Sequence, residues 1–251
     1  MEKFAGFDID GTLAGCPPAD TSGYREYYIF KLAEYLNRNG RFNRGYFNAM
    51  LKDFEQYSKD RNYGTFAVNC INHFASGIRG KKQDDVIRIG KNYLQKNREE
   101  IYTHSAEIVR YCNENGFLTI GISASPLNEI IDPFCNDIGI KEAIGTTFKT
   151  ERGRYTGETD RTYAGKFSKL EALFGFFTDG NYELAENFLG NSSFFGNSFR
   201  GDYTVLCAVG HPFPTNPDSK LKRMAKIHEW PILDLHDGNI LSTVKSKLEG
   251  K

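Results

Sequence analysis

The chain has 251 residues, with 32 Lys+Arg against 32 Asp+Glu, so its formal net charge is zero. Hydrophobic residues make up 39% and charged residues 25%, which excludes a disordered, collagen-like or low-complexity chain. The charge balance supplies no long-range field for nucleic acid or an anionic membrane, and no run of about 20 apolar residues is present to span a bilayer. The opening stretch, Met1 to Phe7, lacks a long apolar core and a cleavage site, so a cytoplasmic protein is expected. The five cysteines (Cys16, Cys70, Cys112, Cys135, Cys207) are odd in number and scattered, which points to reduced, buried thiols. The five histidines (His73, His104, His211, His228, His236) show no metal-ligand spacing and read as structural or surface residues.

Phe4–Asp10 reads as a buried strand that ends in a Gly11-Thr12 turn. From Tyr24 to Glu99 the spacing of apolar residues is helical, with glycine-bearing breaks at Asn39-Gly40 and Gly77–Gly80. Strand and helix then alternate. A helix over Ser105–Asn115 stops at Gly116, and Phe117–Ile122 follows as an apolar strand. A helix beginning near Ser125-Pro126 runs to Asp137. Ile144–Glu158 carries β-type signals around a Glu151–Arg154 hairpin turn. A helix is expected over Thr162–Phe177, then a short strand at Ser193–Phe195. Helices over Tyr203–Val209 and Asp218–Glu229 lead to a last strand at Pro231–Leu235. This βαβα pattern on both sides of a helical insert implies an α/β fold, a parallel sheet covered by helices. In such sheets ligands lie beyond the carboxyl ends of the strands, which gathers the loops after Asp8, Ile122 and Phe195 into one place.

Those loops carry chemistry. Asp8 and Asp10 are two acids two residues apart at a strand end, an arrangement that suits either a divalent cation held by oxygen or a general acid beside a carboxylate. Ser123 directly follows an apolar strand, where a hydroxyl and backbone N–H groups at a helix N-terminus make an anion cradle. Gly196-Asn197-Ser198, with Asp202 near, puts an amide and an acid at a third strand end. Lys166 and Lys169 sit on the helix before it. Taken singly, these are an ordinary N-cap, a turn and two surface lysines.

Taken in chain order, they resemble the haloacid-dehalogenase-like phosphatase superfamily. Asp8-Ile9-Asp10-Gly11-Thr12-Leu13 is similar to its first motif, Ser123 to its second, Lys166 or Lys169 to its third, and Gly196-Asn197 with Asp202 to its fourth. The phosphoserine-phosphatase-like branch is the nearer resemblance, through Ile122–Pro126, Thr146–Phe148, Gly153–Gly157 and the stretch from Asn216 to Asp234. The resemblance implies a Rossmann-like three-layer parallel-sheet core (1–15 and 100–251) with a small α-helical cap domain (16–99) inserted after the first strand. It also implies a Mg²⁺-dependent phosphomonoesterase acting on a small phosphorylated, phosphoserine-like metabolite through an aspartyl-phosphate intermediate. Asp8 would be the nucleophile and Asp10 the general acid and base. Thr12, Ser123, Ala124 and a lysine would hold the phosphoryl group. Lys166 is favoured for that lysine over Lys169, because it lies nearer the helix start. Asp8, Asp10, Asn197 and Asp202 would form the metal set.

The resemblance departs from the family at Asn197, where the fourth motif usually opens with Asp; a neutral amide lowers the affinity for the ion. An intact Asp10 disfavours a dehalogenase, whose leaving halide needs no acid. Two alternatives stay open: a phosphotransferase, and a phosphate-ligand-binding or regulatory protein with weakened catalysis. Substrate choice is expected from the cap, with Tyr24, Arg25, Arg61 and Tyr63 as candidates.

Overall fold

The structure is a computed structural model that describes residues 1–14, 27–60, 62–97, 104–164, 168–234 and 239–250. A six-stranded sheet lies at its centre. The strands are β1 (Phe4–Asp8), β2 (Leu118–Pro126), β3 (Glu142–Glu151), β4 (Arg154–Arg161), β5 (Ser193–Gly196) and β6 (His211–Pro214), in the spatial order β4-β3-β2-β1-β5-β6. All neighbours are parallel except β3 and β4, which form an antiparallel hairpin. Every residue of β1 is buried, as expected for a strand covered on both faces. Gly6 lets β1 approach its neighbour: a Cβ there would lie 2.7 Å from the Phe194 ring.

Among the described residues, four helices fall between β1 and β2 ahead of a fifth: α1 (Tyr28–Arg38), α2 (Arg44–Asp60), α3 (Tyr63–Gly77) and α4 (Gln83–Lys96), then α5 (Ser105–Glu114). After β2 come α6 (Asn128–Asp137), α7 (Ser168–Asp179), α8 (Tyr203–Ala208), α9 (Ser219–Ile227) and α10 (Ile240–Leu248). Phe30, Leu36, Phe66, Phe74 and Ile78 of the helical insert share one apolar cluster with Ile130 of α6, Phe148 of β3 and Tyr155 of β4. Phe74 and Phe148 stack with ring centroids 5.6 Å apart.

The hairpin also straps the insert through backbone bonds. Gly80 N–H donates to the Tyr155 carbonyl (2.8 Å), Tyr155 N–H to the Lys81 carbonyl (3.1 Å) and Gln83 N–H to the Gly153 carbonyl (2.9 Å). The β3–β4 turn and the α3–α4 loop therefore pair like two short strands.

Several expected elements differ in detail. β1 ends at Asp8, two residues early, because the chain turns there: the Ile9 carbonyl accepts from Thr12, Leu13 and Ala14 N–H. β2 runs on to Pro126, where it rejoins β3 at Thr146 past an irregularity, so α6 starts at Asn128 rather than near Ser125. The described part of α7 begins at Ser168. β6 was absent from the expectation, since His-Pro-Phe-Pro carries no alternation and two prolines. Within the described part of the expected last strand, Leu233 makes a bridge to Thr215, Leu235 lies outside the described residues, and α10 follows.

Cys70, Cys112, Cys135 and Cys207 are free thiols, the first three buried; Cys16 lies outside the described residues. No described helix is long and apolar enough to cross a membrane. Phe148 joins insert to core, being 5% exposed and packed on both Phe74 and Tyr155. Phe148→Ala is expected to lower unfolding stability by about 3–5 kcal/mol in urea titration, and to speed proteolysis within α1–α4.

Candidate active site

Strand register brings three loops to one edge of the sheet. Asp8, the last residue of β1, pairs with Ile122 of β2, so Ser123 follows directly on the neighbouring strand. On the other side Phe7 pairs with Phe195, and β5 ends one residue later at Gly196, ahead of Asn197.

The loop after Asp8 turns sharply at Gly11, whose φ of 85° lies in the left-handed region that suits glycine. That turn brings Thr12 back over the strand end. Its buried hydroxyl donates to Asp8 Oδ2 at 3.0 Å. Asp10 faces the helical insert: its Oδ2 accepts from Tyr28 N–H at 3.3 Å, at the start of α1. The two acids thus have different partners.

Lys169, in the first turn of α7, is 4% exposed. Its Nζ donates to Asp8 Oδ1 at 2.5 Å and to Asp202 Oδ1 at 2.6 Å. Asp202 is fully buried, and its second oxygen accepts from Asn197 N–H (3.0 Å), Ser198 N–H (2.8 Å) and Ser198 Oγ (3.0 Å). Gly196 makes this approach possible, since a Cβ there would lie 2.6 Å from Asp202 Cβ. Burial raises the Asp8 pKa; Lys169 opposes that rise and Asp202 adds to it, leaving Asp8 at about 6. Burial pushes the Lys169 ammonium down, but Asp202 and Asp8 outweigh it and hold the pKa above the usual lysine value.

Lys169 is therefore the lysine that meets the carboxylates. Lys166, favoured on its position near the helix start, lies outside the described residues, as do Tyr24, Arg25 and Arg61. Ser123 is 1% exposed and accepts from Ser125 N–H at 3.0 Å. It stands within β2, five residues ahead of α6, so no helix N-terminus forms a cradle at this serine. The neighbouring Ala124 carbonyl accepts from the buried Thr146 hydroxyl at 2.9 Å.

Two residues lie in stretches the sequence reading marks but hold roles it does not assign. Asp218 holds the Asn197 loop from behind: its Oδ2 accepts from Phe199 N–H (2.7 Å) and its N–H donates to the Asn197 carbonyl (2.8 Å). Its place as N-cap of α9 was the available signal, because the same carboxylate accepts from Leu221 N–H at 2.7 Å. Ser198 is the other; a serine in a turn carries no mark of the acid it will bond. Tyr63, at the start of α3, is the one cap candidate among the described residues, and its ring packs on Tyr57 and Phe66. Burial raises its phenol pKa, Lys169 opposes, and Asp8, Asp202 and Asp10 push the same way as burial.

The donor set suits a hard cation. Asn197 Nδ2 donates to the Asp10 main-chain carbonyl at 3.2 Å. With the amide turned over, Asn197 Oδ1 and the Asp10 carbonyl would present two neutral oxygens here, at the end of the loop that begins at Asp8. Charged and neutral oxygens at one point are what Mg²⁺ takes. Among the described residues no three His, Cys, Asp or Glu side chains converge for a metal, so the neutral oxygens are needed.

Comparison with known proteins shows the family and the fold. The family model for haloacid dehalogenase-like hydrolases matches residues 5–206, and the chain belongs to that family. A "Probable phosphatase" of Mycobacterium tuberculosis is 28% identical over 133 residues, covering 53% of this chain and 44% of that protein. The "Inhibition of morphological differentiation protein" of Streptomyces azureus is 28% identical over 137 residues, 54% of this chain and 47% of that one. The chain thus matches about half the length of these relatives. A protein of unknown function from Bordetella pertussis Tohama I superposes with a TM-score of 0.73 at 21% identity, over 94% of this chain and 99% of that one. A phosphoserine phosphatase captured as a phospho-aspartyl intermediate analogue superposes at 0.60 and 13% identity, over 93% of each chain, so the fold is shared.

Lys169→Met leaves two buried acids without their counter-charge. We expect a loss of about 3–5 kcal/mol in unfolding free energy at neutral pH, read by urea titration.

Proposed function

We propose that the chain is a Mg²⁺-dependent phosphomonoesterase that hydrolyses a small phosphorylated metabolite in the cytoplasm. The observation that carries this reading is the buried Asp8 carboxylate, oriented by Thr12 and Lys169, with Asp10 two residues on. The family includes hydrolases by description, and a relative is named a probable phosphatase, which supports the reaction class.

Asp8 would attack phosphorus through a carboxylate oxygen, forming an O–P bond as the ester P–O bond breaks. Lys169 favours the ionised form of Asp8, offsetting the burial that would protonate it. Asp10, as the carboxylic acid, would give its proton to the departing alkoxide. It would then take a proton from the water that cleaves the aspartyl-phosphate, which returns Asp8 and releases phosphate. Ser123 Oγ, Ala124 N–H, Thr12 and Lys169 would hold phosphoryl oxygens, so that the protein contributes mainly position and charge. Asp8, the Asp10 carbonyl and Asn197 would hold the cation, with Asp202 fixing the loop that carries Asn197. When bound, Mg²⁺ neutralises charge on the phosphoryl oxygens.

The test is phosphate release from p-nitrophenyl phosphate and a metabolite panel. The wild type is expected to turn over with Mg²⁺ and to stop with EDTA, and Asp8→Asn to lose at least about 10³-fold in kcat. A wild type inert on every compound with Mg²⁺ present would leave a binding or regulatory protein in its place.

A further inference from the structure

We propose that the backbone N–H of Tyr28, the first residue of α1, aims the Asp10 proton at the leaving oxygen, which makes Tyr28 a positioning residue for the cleavage of alkyl phosphate esters. The inference rests on the phosphatase reading and deepens it.

α1 begins without a cap of its own. Its N-cap residue is Tyr27, whose side chain makes no capping bond, and its first turn holds no acidic residue. The first amides of a helix meet no carbonyl within it, so such an end calls for an acceptor from elsewhere. Asp10 supplies one, its Oδ2 accepting from Tyr28 N–H at 3.3 Å. A carboxylate at the positive end of a helix is held by charge as well as by the bond. The acid of the core thus serves as the cap of the insert's first helix. The main chain of Asp10 is held separately, by Asn197 Nδ2 on its carbonyl at 3.2 Å. The core fixes the backbone of the acid, and the insert fixes its carboxyl.

This division tells the two carboxyl oxygens apart. The oxygen that accepts an N–H is the carbonyl-like one, so a proton on Asp10 resides on Oδ1. In the first step Asp8 forms its O–P bond, and the ester P–O bond breaks with its electron pair on the alkoxide oxygen. Oδ1 passes its proton to that oxygen. The negative charge left on Asp10 develops at the end of α1, where Tyr28 N–H already points. An alkoxide is a poor leaving group and needs the proton, whereas p-nitrophenolate departs without it. The insert that carries this amide is held to the sheet by the hairpin strap and by Phe74 on Phe148.

The donor can be removed on its own. Tyr28→Pro deletes the N–H at the first helical position, which suits proline, and Tyr27 already has the φ of −82° and ψ of 127° that a residue before proline adopts. Tyr28→Ala keeps the N–H and, like the proline variant, lacks the ring that packs on Tyr93. The two variants therefore differ at the donor, whose place the proline Cδ takes.

The experiment measures kcat/KM with Mg²⁺ for p-nitrophenyl phosphate and for the faster of two alkyl esters, ethyl phosphate and phosphoserine. This constant reports the first step, so the later role of Asp10 as base does not enter. Asp10→Asn sets the scale, with a larger loss on the alkyl ester than on the aryl one. Tyr28→Pro is expected to fall about ten-fold or more below Tyr28→Ala on the alkyl ester, and to stay within about two-fold of it on p-nitrophenyl phosphate. Equal losses on both esters, or no difference between the two variants, would assign the bond to packing alone and overturn the inference. So would equal losses for Asp10→Asn, or a wild type that cleaves the aryl ester and neither alkyl ester. If Tyr28→Pro fails to fold by circular dichroism, a backbone ester in place of the amide N–H of Tyr28, with the ring retained, is judged against wild type by the same criteria. Where wild type cleaves p-nitrophenyl phosphate, any of these failures is this inference's alone. A wild type inert on every ester takes the phosphatase reading with it.

Discussion

The contact on which the site depends is the ammonium of Lys169, held between Asp8 and Asp202. All three groups are nearly removed from water, and burying two carboxylates alone at that spacing would be prohibitive. The lysine makes the pair tolerable, and geometry makes the lysine possible. It comes from the first turn of α7, behind the strand ends, and reaches both acids at hydrogen-bond distance. Asp202 then has one oxygen left, which gathers the amides of Asn197 and Ser198. The loop after β5 is therefore tied to the loop after β1 through one buried cation.

The sheet supplies the precision. Parallel register puts Asp8, Ile122 and Gly196 on one level, so three loops far apart in sequence begin at the same edge. Two glycines are required by the site for separate reasons. Gly11 adopts a positive φ that turns Thr12 back onto Asp8, and Gly196 leaves room for Asp202. The helical insert is joined to this edge at Asp10, through Tyr28 N–H, and to the far side of the sheet by the hairpin strap. Its aromatic core is continuous with that of the hairpin, so insert and sheet share packing as well as backbone bonds.

Much of this was legible in the sequence, for identifiable reasons. The apolar run before Asp8, the helical periodicity of the insert and the strand-helix alternation are dictated by burial, which writes itself into residue spacing. Side-chain pairings across the fold are not written that way. Periodicity allows both Lys166 and Lys169 on one helix, and only the packing of α7 in the fold brings Lys169 to Asp8. Ser123 looked like the foot of a helix because Ser-Pro often starts one. Continued pairing of Pro126 with Thr146 keeps the chain extended instead. β6 was hidden by its prolines, which an edge strand tolerates and a central strand would not.

Asn197 is the position where the chain departs from its family's usual pattern, and the structure gives it a physical account. Its amide nitrogen donates to the Asp10 carbonyl, a bond an ionised aspartate at that place could not make. An aspartate would set a carboxylate against a carbonyl oxygen, near Asp8 and Asp202, and only a bound cation would relieve that repulsion. The amide therefore closes the loop onto the Asp10 turn, and it would have to turn over to offer its oxygen to a cation. The same neutrality weakens the pull on a divalent ion, since one of its oxygen donors carries no charge. The asparagine exchanges attraction for the ion against order in the ion's absence. The Lys169 bridge, the Thr12 bond and the Asp218 hold on the loop fix the rest of the site through protein groups.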